Sequence, residues 1–243
     1  MLFDIIIPVG PHDIEKIQKQ IHFTKQNIIG YRNIYIISSN PELKVDGSIV
    51  ISEKIYPFSI KDVEIIHGKN NRNGWYLQQL LKLYAGKVIP DLLSRYLVID
   101  CDTFFLKPTI FVDSDDKCLY NYSDKENHIP YYDHMKKIHE KFIKVYEYSG
   151  ICHHMMFEQK YIQEIFDISE EKNKKPFWIS FLEMVNVNLI ELSGASEYEL
   201  YFNYIINYYL EKITIRELVW ENLSNWNKIN PQYDYVSLHW YMC

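Results

Sequence analysis

Short apolar runs alternate with helical spacings through the first hundred residues of the chain. Four runs share β-branched or aromatic residues and polar boundaries, the pattern of buried strands: residues 3–10, 33–40, 48–53 and 95–100. Between them, apolar residues recur at helical spacing over 13–28 and 74–89. Strand alternating with helix predicts an α/β fold with a mostly parallel central sheet.

After residue 108 the pattern is less regular. Residues 117–122 and 148–157 are apolar enough to predict strands. Helical spacing is found over 159–168, 176–192 and 197–209. The stretch 123–147, rich in charge, His and Tyr, predicts a mobile or irregular loop. Because no internal repeat and no Gly/Ser-rich linker divides the chain, we expect one domain over 1–243.

Composition removes some classes of function. With 243 residues, 47% of them hydrophobic, the chain can bury a substantial core. A net charge of -6 argues against a nucleic-acid partner, which normally selects a basic surface. Four cysteines without CxxC spacing, and no basic leader before the first apolar run, favour reduced thiols in the cytoplasm. No stretch approaches the roughly 18 apolar residues of a membrane span.

The segment YLVIDCDTFFLKP, residues 96–108, ends an apolar run with Asp100 and Asp102. In a strand, residues i and i+2 face the same side with Cα atoms about 6.6 Å apart, so the two carboxylates should repel each other. A hard divalent ion between them would relieve the repulsion and neutralise a substrate phosphate. The alternative is that one aspartate caps the following turn while the other is solvated.

The order of strand, D-x-D and TFFLKP resembles the GT-A superfamily of nucleotide-sugar-dependent glycosyltransferases, especially its bacterial and viral members. Further segments are similar in the same order: DIIIPVG (4–10), GWYLQQLLKL (74–83), SGICHHMMF (149–157), SEYELYFNY (196–204) and SLHWY (237–241). The resemblance implies a GT-A-like, Rossmann-related α/β sandwich with a mostly parallel central sheet and C-terminal helices. It also implies a nucleotide-binding half over 1–108 and an acceptor-side half over 109–243.

By this resemblance the protein would be a hexosyltransferase-type enzyme. It would use Mn²⁺ or Mg²⁺ to move a sugar from a nucleotide diphosphate donor, most simply a UDP-sugar, to a hydroxyl of a glycan or glycoconjugate. The residues implied at the nucleotide-sugar site are Pro8, Val9, Gly10, Trp75, Gln78, Gln79, Asp100, Cys101, Asp102 and His153. The implied metal ligands are Asp100, Asp102 and His239, and the implied catalytic residues are Glu197, Asp102 and His154.

Several of these residues also have a purely structural interpretation. Glu197 is expected either as the base that accepts the acceptor's proton or as a carboxylate stabilised at a helix N-terminus. His239 is either a metal ligand, which would favour manganese, or a satisfied core histidine. His153 and His154 are adjacent and would point to opposite faces of a strand, so we expect one in the cleft and the other packed.

Two other classes of protein compete for the same motif. Haloacid-dehalogenase-type phosphatases carry D-x-D-x-[TV] after a strand, with the first aspartate as nucleophile, but here Phe104 stands where Thr or Val is expected. A noncatalytic carbohydrate- or nucleotide-binding module would use the abundant aromatic residues, 16% of the chain, to stack on sugars. The sugar, nucleotide, acceptor, stereochemistry and oligomeric state are left open by the sequence.

Overall fold

The computed structural model describes residues 2–239 of the chain. Its helices are α1 (Ile14–Asn27), α2 (Ile60–His67), α3 (Asn73–Val88), α4 (Ile129–Ile138), α5 (Gln159–Asn173), α6 (Phe177–Glu183) and α7 (Glu197–Tyr209). Its strands are β1 (Phe3–Val9), β2 (Ile28–Ile29), β3 (Tyr31–Ser38), β4 (Ile49–Ser52), β5 (Arg95–Ile99), β6 (Thr103–Phe105), β7 (Thr109–Ile110), β8 (Cys118–Asn121), β9 (His154–Glu158), β10 (Ile213–Arg216), β11 (Trp220–Leu223) and β12 (Tyr235–Leu238).

A five-stranded sheet in the order β4-β3-β1-β5-β9 forms the centre of the fold. Strands β1, β3, β4 and β5 are parallel, and β9 is antiparallel to β5. Every residue of β1 is buried, as expected of a strand covered on both faces. The prediction of a mixed α/β fold with a mostly parallel central sheet is therefore confirmed.

The strand order reverses beside β1. The chain runs from β1 to β3 and β4 on one side, and then crosses to β5 on the other side of β1. In open α/β sheets such a reversal opens a crevice at the carboxyl ends of the two strands, because the connections leave in opposite directions. In this sheet the reversal falls where residue 10 follows β1 and residue 100 follows β5.

A three-stranded sheet in the order β11-β12-β6 is attached beyond the end of β5. Strand β12 runs antiparallel to β6, with Ser237 opposite Thr103 and their hydroxyl groups 2.8 Å apart. At the end of this pairing Leu238 N donates to the backbone carbonyl of Asp102 at 2.8 Å. This pairing brings the far C-terminal strand to the D-x-D segment. Short parallel pairs, β2 with β7 and β8 with β10, complete the strands of residues 2–239.

Two stretches of the second half differ from the sequence expectation. The irregular structure predicted over 123–147 is wrong for Ile129–Ile138, which form α4 and bury Met135 and Ile138 in the core. The helix predicted over 176–192 ends at Glu183. Asn186 stops it from continuing, because its side-chain oxygen accepts from Asn188 N at 3.1 Å and begins a separate 3-10 turn.

Two expectations from composition concern cysteines and membrane spans. Cys101, Cys118 and Cys152 are buried free thiols, and Cys243 lies outside the described residues. Among residues 2–239, none of the helices combines the length and the apolar character needed to cross a membrane.

Candidate active site

The D-x-D segment is a turn rather than the end of a strand. Strand β5 stops at Ile99, and Thr103 N donates to the Asp100 carbonyl at 2.9 Å, which closes a turn over residues 100–103. The expectation that both carboxylates face the same side of a strand is wrong, because the backbone leaves the extended conformation between them. As a result, Asp100 and Asp102 have different partners.

Asp100 belongs to a buried ion cluster. Its Oδ1 accepts from Lys82 Nζ at 2.5 Å and from the Tyr198 hydroxyl at 2.9 Å. Its Oδ2 lies 3.4 Å from His153 Nδ1. Burial by itself would raise the pKa of Asp100, but the charge of Lys82 and the hydrogen bond from His153 outweigh burial and hold that pKa well below its usual range. Asp100 is therefore ionised at neutral pH.

Lys82 connects Asp100 to Glu197. The Lys82 side chain is buried on α3, with the residue 2% exposed, and its Nζ also donates to Glu197 Oε1 at 2.7 Å. Burial would lower the pKa of Lys82, yet the two carboxylates raise it above its ordinary value. Lys82 thus stays charged and holds two carboxylates that are 97 positions apart in the chain.

Glu197 is the first residue of α7 and is 3% exposed. The helix is capped by Ser196, whose hydroxyl accepts from Glu199 N at 3.2 Å, while Glu197 N donates to Gln79 Oε1 at 3.0 Å. Burial raises the pKa of Glu197, although Lys82 opposes the effect. Its carboxylate is therefore held by a side chain of α3 and also lies in the first turn of α7.

Asp102 pairs with His239 just beyond the carboxyl end of β5. His239 Nδ1 lies 2.8 Å from Asp102 Oδ2, and His239 Nε2 lies 2.9 Å from Asn222 Oδ1. The Asp102 side chain is 19% exposed and the His239 side chain 9% exposed, so the pair borders solvent. Asn222, on β11, orients the imidazole in the way that an outer-shell partner orients a metal-ligating histidine.

Asp102 and His239 fit a divalent cation as a two-residue site. With Nε2 next to Asn222, Nδ1 is the imidazole nitrogen that faces Asp102, so a divalent ion bound there would replace the proton that Nδ1 and Oδ2 share. A carboxylate with an imidazole suits manganese better than magnesium. Within residues 2–239 there is no group of three or more His, Cys, Asp or Glu side chains arranged to hold an ion. Metal sites that serve phosphate substrates often take only one or two protein carboxylates, and phosphate and water complete the shell.

The model of one protein family matches residues 2–229, nearly the whole chain, and is described as a family of unknown function, DUF6492. The chain belongs to the DUF6492 family. A comparison with curated proteins found no match.

The two adjacent histidines of the DUF6492 chain point in different directions, but not as neighbours in one strand, because only His154 belongs to β9. His153 precedes β9 in the left-handed region, with φ 59°, and its ring centroid lies 4.8 Å from that of His239. Its Nε2 is buried and has no hydrogen-bond partner among residues 2–239. His154 turns into the core, where its Nε2 lies 3.0 Å from Asn121 Oδ1 and burial lowers its pKa to about 3. A catalytic role for His154 remains a prediction, and its packing in the structure does not bring it into the ion cluster.

The residues predicted to bind the nucleotide differ in their access to the crevice. Pro8 and Val9 are buried at the end of β1, and Gly10 is partly exposed beside them. The Cys101 side chain is buried and its Sγ lies 3.8 Å from the carbonyl oxygen of Asp13, so its thiol points away from solvent. Direct contact with a nucleotide at this loop would therefore come from Gly10 and from backbone atoms.

The predicted residues of α3 have separate positions. Trp75 packs edge-on against Tyr76 at 4.9 Å and lies under the Arg72 guanidinium at 5.2 Å. Gln78 is half-buried, whereas Gln79 is buried. The side-chain oxygen of Gln79 accepts a hydrogen bond from the backbone N–H of Glu197. Gln79 is thus a supporting residue of the ion cluster.

The structure brings together Asp100, Asp102, His153, His239 and Glu197 from the predicted set. Sequence reasoning missed the three side chains that hold them, namely Lys82, Tyr198 and Asn222. Lys82 did carry a signal, since it stands between Leu81 and Leu83 in a helix that is buried from residue 79 to residue 85. A lysine in such a stretch is rarely left unpaired.

Proposed function

We propose that the protein is a metal-dependent glycosyltransferase with a GT-A-like fold. It would transfer a sugar from a nucleotide diphosphate donor, most simply a UDP-sugar, to a hydroxyl of a glycan or glycoconjugate. The observation that carries the proposal is the Asp102–His239 pair at the carboxyl end of β5, with 2.8 Å between its Oδ2 and Nδ1 atoms. The pair borders the crevice where the strand order reverses, which is where open α/β sheets bind nucleotides.

In this proposal Asp102 and His239 hold the divalent ion, and Asn222 orients His239. When bound, the ion supplies positive charge that stabilises the departing diphosphate, the main electrostatic requirement of the reaction. Asp100 is ionised, and its Oδ2 edge is available to accept a hydrogen bond from a donor hydroxyl.

Glu197 is the proposed proton acceptor for the attacking hydroxyl. Burial raises its pKa, in the direction that makes a carboxylate a more effective base near neutral pH. Its contact with Lys82 would stabilise the ionised form before the proton is taken. This role requires the acceptor hydroxyl to come within hydrogen-bond reach of the Glu197 carboxylate.

Two substrate panels test the proposal. The purified protein is incubated with nucleotide sugars and Mn²⁺, and release of the nucleoside diphosphate is measured with and without EDTA. The same protein is incubated with simple phosphate esters, and phosphate release is measured. We expect slow, metal-dependent release of UDP from at least one UDP-sugar even without acceptor, because water can replace the acceptor hydroxyl. Phosphate release alone would indicate the phosphatase class. No activity on either panel would indicate a binding module.

A further inference from the structure

Lys82 is the centre of the buried ion cluster, and the proposed transfer chemistry gives no role to its contact with Asp100. Its Nζ lies 2.5 Å from Asp100 Oδ1, 2.7 Å from Glu197 Oε1 and 4.3 Å from the centroid of the Tyr198 ring. One ammonium against two carboxylates leaves an excess of one negative charge in the cluster. Lys82 therefore joins α3, the D-x-D turn and the start of α7 at one atom.

Burying a cluster of charged side chains contributes little net stability to a fold, because the desolvation of each ion is unfavourable. Taking a lysine and a glutamate out of water costs several kcal/mol per ion, and well-packed apolar residues of similar volume often replace buried ion pairs without loss. Both side chains are almost fully enclosed, with exposed fractions of 3% for Lys82 and 4% for Glu197. The arrangement is better explained by the geometry that it imposes on Asp100 than by net stability.

The two oxygens of Asp100 are treated differently by the surrounding protein. Oδ1 receives both short bonds, from Lys82 and from the Tyr198 hydroxyl at 2.9 Å. Oδ2 has the longer 3.4 Å contact with His153, whose backbone carbonyl accepts from Asp100 N at 2.9 Å. With one edge of the carboxylate held, the other edge is kept in one orientation.

We propose that Lys82 is a positioning residue that holds the Oδ1 edge of Asp100, so that its Oδ2 edge is presented to a hydroxyl of the bound nucleotide donor. This inference rests on the proposed function, because it assigns a task to Asp100 in donor binding. Lys82 itself does not touch the donor. Its effect is therefore on nucleotide affinity and not only on stability.

Two variants separate positioning from charge balance, because a double variant has the same cluster charge as the wild type, and a single variant controls for the change at Glu197. Glu197→Gln keeps the Lys82–Asp100 bond. The double variant Lys82→Met with Glu197→Gln removes that bond but keeps the same excess of one negative charge in the cluster. UDP binding in the presence of Mn²⁺ is measured by titration calorimetry for the wild type and both variants, and melting temperatures are recorded without ligand.

We expect Glu197→Gln to bind UDP within about threefold of the wild type and the double variant to bind at least tenfold more weakly. The double variant should also melt at a lower temperature, because Asp100 loses its ammonium partner, so binding is measured well below that temperature. A double variant that binds UDP within about threefold of the wild type would overturn the inference, because the two have the same cluster charge and the double variant lacks the bond from Lys82 to Asp100. If the double variant does not fold, Tyr198→Phe decides the question, since it removes the other bond to Oδ1. Weaker UDP binding in Tyr198→Phe supports the inference and unchanged binding overturns it. A wild type that binds no nucleotide overturns the proposed function together with this inference.

Discussion

Replacing Lys82 by Met should destabilise the folded protein strongly. The substitution keeps most of the apolar volume of the side chain but removes the ammonium that contacts Asp100 at 2.5 Å and Glu197 at 2.7 Å. Removing one partner of a buried ion pair costs about 3–5 kcal/mol, because the remaining charge is left without compensation in a poorly solvated site. For a chain of this length, each 1 kcal/mol lowers the melting temperature by about 2–4 °C. We therefore expect a decrease of roughly 6–20 °C.

Urea unfolding followed by tryptophan fluorescence measures this free energy of unfolding. The matched control is Lys87→Met on the same helix, where the lysine is exposed and forms none of the ion pairs found among residues 2–239. We expect the control to stay within about 0.5 kcal/mol of the wild type, as surface substitutions usually do. A loss below about 1 kcal/mol in Lys82→Met would refute the reasoning, because it would mean that water solvates the cluster in the folded protein.

Two further predictions concern the ion site and a buried histidine. Asp102→Asn should abolish the additional stabilisation that Mn²⁺ gives to the UDP complex, which for a ligand at 100 times its Kd is about 2.7 kcal/mol, as measured by thermal shift. His134→Gln should flatten the acid side of the stability profile. Burial lowers the pKa of His134 from 6.5 to about 4, although the hydrogen bond to the Phe181 carbonyl opposes this shift. As the pH falls, the unfolded chain therefore takes up the proton before the folded protein does. The stability of the folded protein decreases as the pH drops from 6.5 to about 4. The total loss of folding free energy from this histidine is about 3.4 kcal/mol once the pH is below both its unfolded and its folded pKa. About 2 kcal/mol of that is already lost at pH 5.

Each of these predictions has a clear contrary outcome. Asp167→Asn, at an exposed position of α5, is the control for Asp102→Asn and should respond to UDP and Mn²⁺ like the wild type. Retained manganese dependence in Asp102→Asn would remove Asp102 from the ion site. For His134, urea unfolding at pH 7.5 and pH 5 is compared between variant and wild type. An unchanged difference between the two pH values would show that His134 is not buried as a neutral donor.

Local pattern was sufficient for the elements whose own residues decide their structure. Strand β1 is apolar along its whole length and α1 repeats its apolar residues at helical spacing, so both were predicted within a few residues of their ends. Helix α4 was not, because its Tyr, His and Lys residues read as polar and irregular until the core covers Met135 and Ile138. The short strands β6, β11 and β12 were also beyond prediction, since each exists only through its pairing with the others.

The candidate site shows the same division. The sequence by itself determined that two aspartates follow a buried strand of an α/β fold, because apolar run, charge and chain order are all local properties. Only the tertiary structure decided that Asp100 faces Lys82 while Asp102 faces His239. Those partners are 18 and 137 positions away in the chain. The turn over residues 100–103 directs the two carboxylates to different partners. Which partners they meet depends on the packing of α3 and β12, not on the motif.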